Sequence, residues 1–118
     1  MMRFRIRMTF SRRKIDEAAV VLRSLVGPIR AENGCAVTRL LRDLDEEQTL
    51  TFIAEWRDVK SIHHHLRGMN FRTLLEVIEM AERAPTIEID QVASRRGFDV
   101  VEEVLGVARS GTSEIEPS

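Results

Sequence analysis

Three consecutive histidines, His63, His64 and His65, lie between Ile62 and Leu66 in the stretch "WRDVKSIHHHLRGMNF". Histidine side chains bind metals, move protons or edge a packed helix, and spacing separates these uses. Neighbouring residues on a helix are rotated by about 100°, so the three rings fan outward and cannot converge on one ion. Metal-binding helices repeat histidine at i and i+4, whereas the positions four after these histidines hold Arg67, Gly68 and Met69. No metal is expected. Val59, Ile62 and Leu66 are read as the buried stripe of the segment. His65 borders that stripe, His63 borders it on the other side, and His64 points to solvent. Pattern alone therefore favours for His65 a hydrogen-bonded edge residue without chemistry over a general base.

Other residues have chemistry in reserve. Trp56, Phe52 and Phe71 could wall a flat apolar site, with packing in the core as the simpler use of each. Arg72 could stabilise an anion. Cys35 is expected to act as a small apolar residue. Glu46 and Glu47 read as a solvated loop, Asn33-Gly34 as turn chemistry, and no pair of catalytic carboxylates stands out.

The elements that must position these residues follow from periodicity. "RFRIRMTF" alternates strictly, with Phe4, Ile6, Met8 and Phe10 facing one way, which predicts a half-buried strand. Ile15, Ala18, Ala19, Leu22, Leu25 and Val26 recur at helical spacing, and the helix is expected to stop near Gly27-Pro28 because proline disfavours helical geometry before it. "CAVTRLLRDL" and "TLTFIAEW" predict strands joined by the charged turn "DLDEE". In the second of these, Leu50, Phe52, Ala54 and Trp56 share one face. Asp58 can cap a short helix through His65. Phe71, Leu74, Leu75, Ile78 and Ala81 mark another amphipathic helix, closed by Pro85. "TIEIDQVAS" predicts a fourth strand and "FDVVEEVLGVA" a weak final helix. The order strand, helix, strand, strand, helix, strand is the α+β, ferredoxin-like split arrangement. It implies a four-stranded antiparallel sheet in spatial order four, one, three, two, with the helices on one face. Arg3, Arg5 and Arg7 would then lie beside Glu88, Asp90 and Glu55, and such cross-strand pairs each contribute about 0.2–1 kcal/mol.

The 118-residue chain suits one domain, expected over residues 1–108, with a polar, acidic tail at 109–118 expected to be disordered. Apolar residues make up 43% and charged residues 31%, the balance of a soluble globular protein. A net charge of −1 gives no basic field for nucleic acid. No apolar run is long enough for a membrane. One cysteine cannot form an internal disulfide, and a cytoplasmic setting is the simplest.

"GPIRAENGC", the "EW" closing a strand, the helix ending "HHLRGMNFRTLL" and the "AP" before the last strand together resemble the antibiotic biosynthesis monooxygenase domain family, in particular its quinol-monooxygenase-like members. The similarity spans roughly Arg3 to Phe98. It implies a dimeric α/β barrel built from two ferredoxin-like chains packed through their sheets. It also implies oxidation of electron-rich aromatic substrates by dioxygen without metal, flavin or haem. Gly34 matches the family glycine before the second strand, Trp56 the tryptophan ending the third, His65 the histidine before the helix leucine (Leu66 here), and Phe71 the aromatic after the helix break. Relatives that degrade haem carry a first-strand asparagine and a helix histidine. This chain has no asparagine in that strand and Leu75 near the second position, which disfavours haem chemistry.

The resemblance leads to a cofactor-independent monooxygenase acting on quinols or polycyclic phenols, with His65 as base. Proton transfer from a phenol near 10 to an imidazole near 6.5 is uphill by about 5 kcal/mol, so a donor must stabilise the phenolate, for example Arg72 or a backbone amide. The reading also requires an apolar slot between the short helix and Trp56. The alternative is a non-catalytic, dimeric small-ligand-binding or regulatory module of the same fold. The absence of tyrosine leaves few groups to orient a phenol and counts toward it.

Overall fold

The computed structural model describes residues 1–106, so the tail expected at 109–118 lies outside the described residues. The elements run β1 (Met2–Thr9), α1 (Ile15–Arg30), β2 (Cys35–Arg42), β3 (Thr49–Trp56), α2 (Val59–Leu66), α3 (Met69–Ile78), β4 (Thr86–Gln91) and α4 (Phe98–Leu105). The four strands form one antiparallel sheet in the order β2-β3-β1-β4, as expected for the ferredoxin-like arrangement.

Alternation settles the two faces. Phe4, Ile6, Met8 and Phe10 join Leu50, Phe52, Ala54 and Trp56 in the core beneath the helices. In α1 the buried residues are Ile15, Ala18, Leu22, Leu25 and Ile29, a strict 3-4-3-4 repeat. The outer face carries an ion-pair row. Arg3 Nε donates to Glu55 at 3.1 Å, and Arg5 bonds Glu88. Arg7 reaches Asp43 and Glu46 at the β2–β3 turn instead of a strand acid. Arg95, from the segment after β4, grips Glu55 through two bonds of 3.0 and 2.8 Å. Register places Val37 and Leu41 opposite Glu55 and Thr51 on this face, whereas Leu40 pairs with Phe52 on the core side.

Three expectations change. The first helix does not stop at Gly27-Pro28 but runs to Arg30. Pro28 is exposed in its last turn, burial of Ile29 rewards one more turn, and Ala31 N–H closes onto Gly27 at 3.0 Å. The buried stripe of α2 is Ser61, Ile62 and His65; Val59 is exposed and Leu66 only half-buried. The third helix ends at Ile78, and it buries Leu74 and Val77 while Leu75 turns outward. No helix among the described residues is long and apolar enough to cross a membrane.

Candidate active site

The site forms where β3 hands over to α2. Asp58 caps α2 by accepting the Ser61 N–H at 2.8 Å. The hydrogen bonds from the Ser61 backbone and side chain hold the Asp58 carboxyl below the usual range. Arg57 N–H donates to the Gly34 carbonyl at 2.7 Å, tying the end of β3 to the turn before β2. Gly34 has φ +87°, and a Cβ there would lie 2.1 Å from Ser61 Oγ. Glycine is thus required both by its left-handed backbone and by the close approach of α2. His65 follows Ser61 by one helical turn and shares its face.

His65 is not at the edge of the stripe but inside it, 1% exposed. Its ring stacks on the Trp56 indole with centroids 4.5 Å apart and planes 30° apart. Phe71 and Phe4 close the cage edge-on at 5.4 and 6.4 Å. Nδ1 faces both oxygens of Glu32, at 2.9 and 3.1 Å, and Asn70 Nδ2 donates to the same carboxylate at 2.8 Å. Burial pushes the His65 pKa below its usual value, with the Glu32 hydrogen bond and charge opposing. Two buried polar atoms of the stacked pair, His65 Nε2 and Trp56 Nε1, have no hydrogen-bond partner among the described residues.

The expected residues are only partly brought together. His65, Trp56 and Phe71 meet. Phe52 is buried in the core, and it is not among the rings paired with His65. Arg72 is exposed on α3. His63 and His64 are exposed, and among the described residues no group of three His, Cys, Asp or Glu could hold a metal ion. Cys35 is half-buried and bonds Val37 O and Thr38 Oγ1; burial raises its thiol pKa, the leading cause. Sequence reasoning missed Glu32, Asn70 and Phe4. Alternation placed Phe4 on the correct face, but only the pairing register sets it opposite Ala54, where its ring meets His65 and Phe71.

The apolar slot is filled by these side chains. A cleft of about 230 Å³ beside the carboxylate is lined by Glu32, Asn33, His64, Gly68, Met69 and Asn70, and His65 is not among its lining residues.

Fold and site together define a ferredoxin-like α+β domain with a caged, carboxylate-bonded imidazole. The chain belongs to the antibiotic biosynthesis monooxygenase family, whose model matches residues 1–77. All the residues of the cage fall within that match, and β4 and α4 lie beyond it. Among solved structures, an antibiotic biosynthesis monooxygenase is 21% identical with a TM-score of 0.71, over 80% of this chain and 100% of that one. Rv0793 from Mycobacterium tuberculosis is 16% identical with a TM-score of 0.73, over 81% and 98%. A conserved protein from Methanosarcina mazei Go1 is 23% identical with a TM-score of 0.71, over 76% and 90%. At these identities the likeness carries the fold. No curated protein matches the chain.

Proposed function

We propose that the protein is a cofactor-independent monooxygenase that oxidises quinols or polycyclic phenols with dioxygen, using His65 as the base. The observation that carries this reading is the pair of unpartnered buried atoms on one stacked imidazole–indole unit. Leaving a buried polar atom unpaired costs about 1–3 kcal/mol. A phenolic hydroxyl would satisfy both atoms, accepting from Trp56 Nε1–H and donating to His65 Nε2. The indole then supplies the phenolate donor that the exposed Arg72 does not. A hydroquinone and dioxygen give a hydroxyquinone and water. One oxygen atom replaces a ring hydrogen, the other leaves as water, and all four electrons come from the quinol, so no external reductant is required. The proton taken by Nε2 returns to the departing oxygen.

Substrate must displace a wall to reach the ring. Phe71, half-buried in the first turn of α3, is the least enclosed wall. The filled slot favours the second reading, a non-catalytic module in which the imidazole is a packed core residue. Oxygen-electrode assays over hydroquinones, anthrones and naphthoquinols, without added metal or flavin, separate the two. The oxygenase reading expects uptake that falls by at least about 10²-fold in His65→Gln, the lower range for loss of a general base. Uptake unchanged in that variant removes His65 as base. Saturable binding of an aromatic ligand without uptake establishes the second reading.

The same proposal includes a homodimer packed through the outer sheet face, where Val37, Ile53 and the 47%-exposed Leu41 lie among charged pairs. Sedimentation at micromolar concentration should give twice the chain mass; a monomer rules the dimer out.

A further inference from the structure

We propose that Glu32 is the positioning residue of the buried site: braced by Asn70, its carboxylate keeps the hydrogen on Nδ1 of His65 and leaves Nε2 as the one free base facing the aromatic cage. This rests on the reading of His65 as base, and extends it to which nitrogen acts and what holds it there.

Three elements separated in sequence converge to make the arrangement. Glu32 lies in the turn after α1, its backbone fixed at both ends because its N–H donates to Ile29 at 3.0 Å and its carbonyl accepts from Cys35 at 3.1 Å. His65 comes from α2 and Asn70 from the first turn of α3. A carboxylate only accepts hydrogen bonds, and a neutral imidazole carries one N–H. Contact of Nδ1 with both carboxylate oxygens therefore assigns that hydrogen to Nδ1, and the lone pair to Nε2. The Asn70 amide donates to Oε2 at 2.8 Å, which stops the carboxylate from swinging away from the ring.

The placement of charge also suits a base. The Glu32 side chain is 18% exposed and the His65 side chain 0%. The carboxylate lines the 230 Å³ cleft, so it keeps part of its hydration while the ring has none. The aromatic rings packed on the imidazole, Phe4, Trp56 and Phe71, carry no charge. When Nε2 takes a proton from a substrate hydroxyl, the new imidazolium faces a carboxylate already in contact. The transfer makes an ion pair within the site instead of an isolated buried cation. On return of the proton to the departing oxygen the ring is again neutral, with Nδ1–H still held.

The test uses the full chain and two readouts. Nitrogen-15 NMR of the histidine rings reports the tautomer directly. In the native protein the Nδ1–H form of His65 should dominate; in Glu32→Gln the Nε2–H form should become populated and protonation should shift to lower pH, while Glu32→Asp should restore the native tautomer in part. Oxygen uptake with a hydroquinone should show kcat lowered roughly 10- to 100-fold in Glu32→Gln and less in Asn70→Ala, with KM within about twofold, because the residue acts through the base. A native His65 in the Nε2–H form, or a Glu32→Gln protein with tautomer and kcat unchanged, overturns the proposal. The outcomes are separable from the proposed function. A native protein with Nδ1–H and no uptake on any phenol sinks the oxygenase reading and leaves the role of Glu32 in orienting the ring intact.

Discussion

Glu32 and Glu55 are two carboxylates drawn out of water on opposite sides of the same sheet, and their partners differ in kind. Glu55, 3% exposed, is held by Arg3 and by both terminal nitrogens of Arg95. Guanidinium groups stay charged at any working pH, so nothing in that cluster can exchange a proton at neutrality. The Arg95 hydrogen bonds hold the Glu55 carboxyl below the usual range, against burial, with the charges of Arg95 and Arg3 adding to the effect. Glu32 has an imidazole and an amide instead. Its cluster contains a group whose charge can change between pH 5 and 8. The lesson lies in consecutive residues of one strand: Glu55 turns outward to a fixed-charge staple, and Trp56 turns inward to a proton-bearing ring. One side is built to hold and the other to respond.

The largest effect expected is from breaking the scaffold of the responsive side without touching either carboxylate. Gly34→Ala places a methyl within 2.5 Å of Ser61 Cβ in a backbone at φ +87°. Left-handed strain alone costs about 1–2 kcal/mol, and the clash must push α2 off the turn. A loss of about 3 kcal/mol or more in urea unfolding, together with loss of the His65–Trp56 ring contact by NMR, is expected. A variant of native stability would mean that α2 is not seated on Gly34. Next comes the staple. Glu55→Ala leaves Arg3 and Arg95 without their acceptor, but their side chains are 39% and 53% exposed and can rehydrate. A cost of about 1–2 kcal/mol is expected, below that of a fully buried pair, with quinol-dependent uptake unchanged. A fall in uptake that exceeds the fall in folded fraction would erase the division between the two sides.

These contrasts also show what the sequence could and could not carry. The sheet order was legible because alternation fixed the inward faces of β1 and β3, and the order strand, helix, strand, strand, helix, strand matches the split arrangement, with the arginine and acid rows in accord. Glu32 was not legible: in "AENGC" its composition speaks only of a turn, and its partners lie 33 and 38 positions along the chain. The seat of His65 was misjudged for a different reason. An eight-residue helix has too few apolar positions to fix its phase, so hydropathy favoured Val59. Ser61 won because its small side chain lets α2 approach Gly34. Proline punctuation at Pro28 lost to the burial of Ile29, a tertiary effect.

Acid should separate the two sides by window. Burial lowers the folded pKa of His65 below 6.5, so as pH falls the unfolded chain takes up that proton first. This contribution to stability is complete above about 6.5 and is lost as pH falls from there toward the folded pKa. Glu55, lowered from 4.5 mainly by its bonds to Arg95, contributes fully above about 4.5 and loses its contribution below it. Difference curves of native minus His65→Gln stability should therefore begin to fall near pH 6.5. Curves against Glu55→Gln should stay flat until about pH 4.5. Coincident windows would mean that the two carboxylate clusters respond as one unit.

The smallest effect expected is at Arg95, and it sharpens what the staple is for. Its side chain is half in water, and surface pairs are screened by salt. Arg95→Ala should leave the unfolding midpoint within error of the native value at 1 M salt, an ionic strength at which the screening length is about 3 Å, and lower it slightly at low salt. Glu55 keeps Arg3, so its carboxylate is not orphaned. The change should fall instead on the segment that Arg95 belongs to. Between the Val92 N–H bond to Met1 and the start of α4, the Glu55 contact ties this segment to the sheet. Amide exchange should therefore quicken from Val92 to Leu105 and stay unchanged in β1 and β3. Equal quickening in β1 would show that Arg95 supports the sheet itself, whereas quickening confined to residues after Gln91 assigns the staple to placing α4.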